Sequence, residues 1–237
     1  MRSRDLLARL AATTAAAVIA VTAASTGGCA KQAPSWVQAS KAHFSKQVAL
    51  PAPATDGAMS LEQAMERRRS QRSFRPVQLP LATIGQLLWA GQGITSSDGK
   101  RTAPSAGALY PLELYVVTPT TVMHYLPRGH RVETRVAPDL RPRLETAAFG
   151  QAPVGAAPDI IVIAAAPDRT RAKYGARAEA FIDREAGHAA QNILLEATAR
   201  GLAAVPIGGL DPSRAAVALA LPPDQTVLYL IPVGLAP

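Results

Sequence analysis

The chain has 237 residues, of which 48% are apolar and 18% are charged, and this balance excludes a chain that is disordered throughout. Its formal net charge is +8 at pH 7, which is typical of proteins that bind nucleic acid or an anionic surface. No helix-turn-helix, zinc-knuckle or RNA-recognition pattern is present, so we expect no nucleic-acid partner. The chain has one cysteine and four scattered histidines, so we expect neither an intrachain disulfide nor a metal site.

Residues 1–28 are typical of a secretory signal. Arginines near the start precede an uncharged run over residues 10–24, which is too short and too weakly apolar for a comfortable membrane span. The small residues before Cys29 resemble the signal of bacterial lipoproteins, in which that cysteine is acylated. Thr26 departs from this pattern, which prefers an aliphatic residue there.

We therefore expect an exported protein, either periplasmic or anchored to the membrane through a lipid on Cys29. Ordinary signal cleavage near residues 23–25 is the alternative. If translation began near Met59 instead, the protein would be cytoplasmic.

The rest of the chain divides into a spacer and a folded domain. Residues 29–58 are rich in Ala, Pro, Ser and Lys and have little periodicity, which predicts a disordered spacer. The folded domain is expected to span residues 59–237. Ser60 and Gln63 have the spacing of a capping box, which predicts a helix that begins directly after Ser60.

Hydrophobic periodicity predicts the remaining elements in chain order. They are a short helix from Leu61, a helix from Leu81 that ends at Gly91 or Gly93, a strand over 112–118, a hairpin over 122–136, a weak helix over 138–149, a buried strand over 160–166, a charged loop over 169–177, a long helix over 178–200, a short strand over 205–210, a short helix after Asp211 and a last strand over 227–233.

Five arginines and two serines lie within the nine residues 67–75, directly after the first helix. Like charges at this spacing repel each other, so an anion is expected to neutralise them. A phosphate suits such a cluster because each guanidinium can donate two parallel, charge-assisted hydrogen bonds to its oxygens. The alternative is a solvated basic helix end.

The segment 104–111 combines small residues with a proline at each end and leads into a predicted strand. Small side chains let the backbone approach a flat ligand closely. A tight loop with no ligand is the alternative.

Three separated segments resemble one family. They are Arg68-Arg69-Ser70-Gln71-Arg72 with Phe74, Pro104 to Glu113, and Glu185 to Asn192 with Pro206-Ile207-Gly208-Gly209. Their order and spacing resemble the FMN-dependent nitroreductase-fold enzymes, and in particular the SagB/ThcOx branch, whose members are azoline oxidases of peptide biosynthesis. The resemblance covers about residues 60–235. It implies an α+β fold with a mixed β-sheet flanked by helices, and an intertwined homodimer that binds FMN at its interface.

The resemblance also implies roles for individual residues. Arg68, Arg69, Ser70 and Arg72 would hold the phosphate and ribityl chain of FMN. Ser105, Ala106 and Gly107 would lie along the edge of the isoalloxazine ring of the partner subunit's flavin. Ile207, Gly208 and Gly209 would present backbone N–H groups toward flavin N5, which stabilises the reduced flavin. Arg67 and Arg75 have no matching role and are expected to be solvated.

Lys173 and Tyr174 resemble the pair that assists removal of a substrate proton in azoline oxidases while a hydride passes to flavin N5. A lysine can act as a base only if burial or neighbouring cations lower its pKa, and Arg171 and Arg177 are near in sequence. The alternative is a solvated loop. His188 is interpreted as a packed, hydrogen-bonded histidine.

Three functions remain open. The first is a SagB/ThcOx-type oxidoreductase that acts on a small or peptidic substrate. The second is an NAD(P)H-dependent reductase of nitro compounds or quinones, and the third is a non-catalytic, exported flavin-binding lipoprotein. Export argues against the second because nicotinamide cofactors are scarce outside the cytoplasm. It also argues against azoline oxidation of cytoplasmic precursor peptides.

Overall fold

The computed structural model describes residues 43–237, so the predicted signal and Cys29 lie outside the described part. One seven-stranded sheet, in the order β1-β4-β3-β2-β5-β7-β6, forms the centre of this part. The strands are β1 (Lys46–Ala49), β2 (Leu112–Val117), β3 (Thr121–Leu126), β4 (Arg131–Val136), β5 (Asp159–Ala165), β6 (Leu202–Ala204) and β7 (Thr226–Leu235). The helices are α1 (Leu61–Arg67), α2 (Leu81–Gln92), α3 (Arg141–Ala147), α4 (Ala152–Ala156), α5 (Asp168–Tyr174), α6 (Ala178–Ala199) and α7 (Pro212–Ala218).

Helices cover both faces of the sheet. Side chains alternate along β2, so that Leu114 packs with α2 and α6 on one face while Tyr115 packs with α3, α4 and α7 on the other. Every residue of β5 is buried, because this strand lies between β2 and β7 and is covered on both faces. The α+β class predicted from the resemblance is confirmed.

The two longest helices pack closely against each other on one face of the sheet. A methyl group on Gly91 of α2 would lie 3.0 Å from both Ile193 of α6 and Leu114 of β2, so these two side chains would have to shift to admit a larger residue at this crossing. The predicted capping box also forms, since Ser60 accepts the Gln63 N–H and the Gln63 side chain accepts the Ser60 N–H. The helix start predicted at Ser60 is therefore confirmed, and α2 and α6 pack in direct contact.

The sheet differs from the expected mixed sheet. Each pair of neighbouring strands runs antiparallel in the described part of the chain. The strands β2, β3 and β4 form a meander joined by tight turns, which can connect only antiparallel neighbours.

The predicted domain start at Met59 is too late. Lys46–Ala49 forms the edge strand β1 next to β4, and Leu50 lies in the core with only 7% of its surface exposed. Leu50 also packs onto α2, since a methyl group on Gly85 would lie 3.3 Å from its side chain. Four strand residues are too few for a visible alternation, so the spacer interpretation of residues 46–50 was wrong.

The segment 169–177 was expected to be a loop, but its first part belongs to helix α5. Asp168 lies in the first turn, while Arg171 and Lys173 lie in the last, which suits the helix dipole. Gly175 ends the helix with a φ of 52°. Among residues 43–237, no helix is long and apolar enough to cross a membrane.

Candidate functional site

The arginine segment runs along one edge of the sheet. The Gln71 N–H donates to the Ala204 carbonyl at 3.0 Å, and the Arg75 N–H donates to the Leu235 carbonyl at 3.0 Å. These two bonds attach the segment to β6 and to the end of β7. The basic cluster is therefore held by the sheet rather than left as a free helix end.

The guanidinium groups of this segment have no acidic partner among residues 43–237. Arg69 donates to the carbonyls of Glu66 and Arg68, and Arg72 donates to the Ser70 carbonyl at 3.3 Å. In the described part of the chain, none of the five arginines of residues 67–75 has a carboxylate within 4.0 Å. The segment is an uncompensated, exposed positive patch of the kind that binds an anion.

The glycine turn follows β6 on the same edge. Ile207 pairs with Leu230 through both backbone groups, at 2.8 and 3.0 Å, so its N–H is unavailable to a ligand. The predicted donor role of Ile207 is therefore corrected: this buried residue anchors the turn. Gly208 and Gly209 are exposed, and their N–H groups have no acceptor among the described residues.

Two side chains that the sequence did not single out shape this turn. A methyl group on Gly208 would lie 3.2 Å from the ring of Tyr229, so the turn rests on that ring. Gln151, which precedes α4, donates to the Gly209 carbonyl at 2.8 Å. The Tyr229 ring and the Gln151 hydrogen bond together restrict the backbone of the glycine turn.

Gly107 brings the second group of predicted residues together. Its φ is 63°, and a methyl group on it would lie 2.9 Å from both Lys173 Nζ and Tyr174 Oη. The left-handed conformation therefore favours glycine here, and the ends of these two side chains would have to shift to admit a methyl group. The structure thus places the predicted proton-transfer pair directly against the predicted flavin-facing segment of the same chain.

The segment 105–110 is strained and tightly held. Ala108 and Tyr110 have φ values of 54° and 47°, a conformation that disfavours residues with a Cβ atom. The Ser105 hydroxyl accepts the Tyr110 N–H at 2.8 Å, and the Arg101 guanidinium lies 4.4 Å from the centre of the Tyr110 ring. Strained backbone of this kind persists only where surrounding contacts enforce it.

The last turn of α5 sets the positions of Lys173 and Tyr174. The Tyr174 ring packs edge-on against Phe181 of α6 with ring centres 4.9 Å apart. Lys173 is exposed within this chain, and Arg171 is engaged by Asp168 and Glu179. Lys173 is exposed and Tyr174 is half-buried, and both side chains end beside Gly107.

Glu185 of α6 is a buried acid to which the sequence assigned no role. Only 3% of its surface is exposed, and its Oε1 is buried with no hydrogen-bond partner in the described part of the chain. Burial raises the pKa of this carboxyl to about 7, against the opposing effects of the Ser105 side chain and the Arg101 charge. Its signal in the sequence is an acidic residue at an apolar-face position, three residues after Ile182.

The predicted site residues thus form two groups within one chain. The arginine segment and the glycine turn share the β6–β7 edge, while Lys173 and Tyr174 lie against the 105–110 segment. No hydrogen bond among the described residues joins one group to the other. His188 is exposed, so the prediction of a packed, hydrogen-bonded histidine is wrong. Residues 43–237 contain no cluster of three metal-ligating side chains.

Both groups fall within one stretch that matches a known family. Residues 65–235 match the sequence profile described as the Nitroreductase family. The chain belongs to the nitroreductase family. It is therefore an oxidoreductase of that family, and both the arginine segment and the Lys173–Tyr174 pair lie inside the matched stretch.

Individual relatives support the membership. A candidate nitroreductase of Methanocaldococcus jannaschii is 34% identical over 182 residues, which cover 74% of this chain and 91% of the relative. The crystal structure of a candidate nitroreductase of Ralstonia eutropha shares 32% identity, with a TM-score of 0.74 over 82% of this nitroreductase-family chain and 91% of the other. An NADPH:FMN oxidoreductase of Vibrio harveyi complexed with NAD⁺ shares the fold, with 23% identity, a TM-score of 0.55 and coverage of 74% and 68%.

Proposed function

We propose that this protein is an FMN-dependent oxidoreductase of the SagB/ThcOx type that transfers a hydride between flavin N5 and a small or peptidic substrate. One observation carries the proposal. Lys173 Nζ and Tyr174 Oη both lie against Gly107, the residue expected at the edge of the flavin ring. A proton donor or acceptor and a redox cofactor would thus meet at one point.

The residues of the first group fit FMN. Arg68, Arg69 and Arg72 have no acidic partners among the described residues, so a phosphate would neutralise a charge that the fold leaves open. The free N–H groups of Gly208 and Gly209 would donate to the ring system. When bound, FMN supplies the two-electron chemistry that no side chain of the protein can perform.

The residues of the second group would handle the proton. Tyr174 Oη and Lys173 Nζ point to the same position beside Gly107, within reach of a substrate that stacks there. Tyr174 is fixed by Phe181, whereas exposed Lys173 can exchange its proton with solvent. We infer that Tyr174 orients the substrate and that the pair removes its proton once the bound substrate and the partner subunit cover Lys173, because an exposed lysine is not a base.

A second copy of this chain would complete the site. The two groups are separate within one chain, and the resemblance assigns the 105–107 segment to the flavin held by the partner. Helix α1 exposes 57% of Leu61 and 56% of Met65 beside a cavity of about 530 Å³ whose walls include α2 and α6. This unpartnered apolar surface supports a homodimer.

The alternative is an NAD(P)H-dependent reductase. The Vibrio harveyi relative, named as an NADPH:FMN oxidoreductase, was solved with NAD⁺. Lys173 is exposed, so a nicotinamide phosphate or ribose could reach it without rearrangement of the core. A flavin-binding protein with no catalysis would keep the arginine segment but have no use for Lys173.

Export and lipidation on Cys29 are part of the proposal. The signal-like composition of residues 1–28 supports them. Cys29→Ser should release the protein from the membrane fraction of producing cells, whereas the unaltered protein should sediment with the membranes. Equal distribution of the two proteins would exclude the anchor.

The cofactor is tested with the purified protein and FMN. We expect a yellow protein with about one FMN per chain after reconstitution and gel filtration. A colourless protein that retains no FMN would exclude the proposed function and its reductase alternative together.

Anaerobic mixing of the FMN-loaded protein with NADH or NADPH distinguishes the proposed function from the reductase alternative. Bleaching of the flavin favours the reductase, and an unbleached flavin favours the SagB/ThcOx-type enzyme.

A further inference from the structure

Arg169 lies in the first turn of α5, and neither the sequence patterns nor the proposed reaction assign it a role. We propose that Arg169 is a positioning residue for this site, whose guanidinium holds the start of α5 against the end of the strained 105–110 segment. That alignment brings Lys173 and Tyr174 of the same helix beside Gly107. The role rests on the proposed function and adds a residue to it.

The 105–110 segment and α5 leave the sheet at the same end. β2 and β5 run antiparallel, so the start of β2 lies beside the end of β5, with Leu112 opposite Ala165. The segment precedes β2, and α5 follows β5. Among residues 43–237, the last backbone bond between the two runs from the Ala166 N–H to the Pro111 carbonyl at 2.8 Å. Proline has no N–H with which to continue this ladder, so beyond it side chains must fix the helix relative to the segment.

The Arg169 guanidinium joins the helix, the segment and the sheet through two contacts. Its Nη1 donates to the Tyr110 carbonyl at 3.1 Å, and its Nη2 lies 2.5 Å from Glu113 Oε1 of β2. A guanidinium carries its donors in a rigid planar fork, so two acceptors on different residues fix its orientation. The position of Tyr110 relative to α5 is thereby fixed as well.

Glu113 is a firm anchor for this guanidinium. Only 12% of its side chain is exposed, and its second oxygen, Oε2, lies 2.7 Å from His124 Nε2 of β3. The His124 ring in turn stacks on Tyr115 with ring centres 4.6 Å apart. Burial raises the pKa of Glu113, but its contacts with His124 and Arg169 outweigh this, so its pKa lies below the ordinary value and the carboxyl is ionised at neutral pH. Arg169 is therefore tied to two strands of the sheet.

Tyr110 needs such a contact because its backbone is strained. Its φ is 47°, whereas a residue before proline is normally extended. Ser105 accepts its N–H and Arg101 lies over its ring, so Arg169 supplies the contact to its carbonyl. Strain of this kind persists only where the surroundings enforce it. Loss of Arg169 would therefore release the end of the segment that is joined to α5.

The experiment compares Arg169→Met with Arg171→Met as the matched control. Arg171 lies on the same helix and has a similar exposure, 51% of its side chain against 46% for Arg169. It pairs with Asp168 and Glu179, and in the described part of the chain no hydrogen bond or ion pair joins it to the 105–110 segment. Both variants remove one partly exposed charge from α5, so they differ in the contact to the segment.

Three quantities are measured at pH 7: thermal unfolding of the flavin-free protein, hydrogen exchange of the Ala108, Leu109 and Tyr110 amides in that protein, and the affinities for FMN and for riboflavin. These three amides donate within the segment, to Ser105 and Ala106, so their exchange reports its conformation. Riboflavin has the ring system of FMN without its phosphate, so it probes the contacts to the ring alone.

We expect Arg169→Met to exchange these three amides roughly two- to tenfold faster than the unaltered protein, which is the net effect of one lost hydrogen bond. The affinities for FMN and riboflavin should fall by the same factor, because the arginine segment expected to hold the phosphate is unchanged. Arg171→Met should exchange the three amides at the unaltered rate and keep both affinities.

Arg169→Lys separates the bridge from the charge, and it gives the same comparison if Arg169→Met fails to fold. Lysine keeps a cation for the buried Glu113 carboxylate but lacks the planar fork that reaches two acceptors. We expect it to melt close to the unaltered protein, while the three amides still exchange faster. An exchange rate restored in full by lysine would show that the charge alone suffices, and would overturn the bridging role.

Equal exchange of the three amides in Arg169→Met, Arg171→Met and the unaltered protein would overturn the proposal. Faster exchange in both methionine variants would do the same, because the effect would then belong to any charge on α5. A loss of FMN affinity without a loss of riboflavin affinity would place the effect at the phosphate and count against Arg169. If the unaltered protein binds no FMN, the proposed function fails, while the exchange measured without flavin still decides the role of Arg169.

Discussion

Gly107 lies so close to Tyr174 that a methyl group on the glycine would be 2.9 Å from the tyrosine hydroxyl. The two residues belong to different elements, one in the segment before β2 and the other at the end of α5. Their approach joins the segment expected beside the flavin to the pair expected to move the proton. It is the contact on which the proposed chemistry depends.

Gly107→Ala should therefore reduce both stability and turnover. The φ of 63° disfavours alanine by about 1–2 kcal/mol, and the new methyl group would displace Lys173 and Tyr174. Chemical denaturation and steady-state kinetics measure the two effects. Gly99→Ala is the matched control, since Gly99 has a φ of 84° and no atom within 4 Å of a new methyl group. Gly99→Ala should lose a similar amount of stability and keep full turnover. Equal turnover of the Gly107→Ala and Gly99→Ala variants would show that Gly107 is needed only for its backbone conformation.

Lys173→Met should abolish turnover while FMN stays bound. Removal of a general acid or base lowers the rate by about 10²–10⁴-fold, and the side chain is exposed, so the fold should tolerate the change. Flavin absorbance gives the bound FMN, and the initial rate gives the turnover. Lys100→Met provides the control, because Lys100 is an exposed lysine paired with Asp98. Unchanged turnover in Lys173→Met would remove this residue from the reaction.

Arg69→Ala and Arg72→Ala should each weaken FMN binding. Loss of a hydrogen bond to a charged phosphate costs about 1.5–3 kcal/mol, or roughly ten- to a hundredfold in affinity. Fluorescence titration of FMN at low and high salt measures this loss, which should shrink as salt screens the charge. Arg67→Ala tests the alternative of a merely basic surface. If all three variants lose affinity equally, the arginines act through their summed charge and not through defined contacts.

Asp159→Asn should increase stability at neutral pH. Burial raises the pKa of Asp159 to about 6, so the folded protein loses stability as pH rises from about 4 to 6. Asparagine can still accept the Leu79 N–H, which Asp159 Oδ2 accepts at 2.8 Å, and it carries no buried charge. Thermal melts between pH 4 and pH 8 should show the gain above pH 6.

The control for this measurement is Asp139→Asn. The hydrogen bond from Arg141 lowers the pKa of Asp139, so its contribution is present above the unfolded pKa and is lost on acidification. The asparagine variant should therefore be less stable than the unaltered protein near neutral pH. Shifts of the same sign in both variants would contradict the assignment of the two carboxyls.

Parts of the site could be predicted from the sequence because they depend on residues that are close together in the chain. The arginine segment is a dense run of charge, and no tertiary knowledge is needed to expect an anion there. The role of the Lys173–Tyr174 pair came only from resemblance, because neither its helix nor its contact with Gly107 follows from nearby residues. The role of Ile207 could not be predicted locally, because its N–H donates to Leu230, a β7 residue that is distant in sequence.

The sequence by itself determined the helices with clear periodicity, the capping box at Ser60, the buried strand β5 and the positive patch over residues 67–75. Each depends on residues within a few positions of one another. Only the tertiary structure decided that residues 46–49 form an edge strand, that α5 is helical and that Glu185 is buried. These features depend on contacts between segments that are distant in sequence. The energies of such contacts are set by burial and by neighbouring charge, so no local pattern predicts them. The close approach of Gly107 and Tyr174 belongs to this second class, so this part of the candidate site was found only in the folded chain.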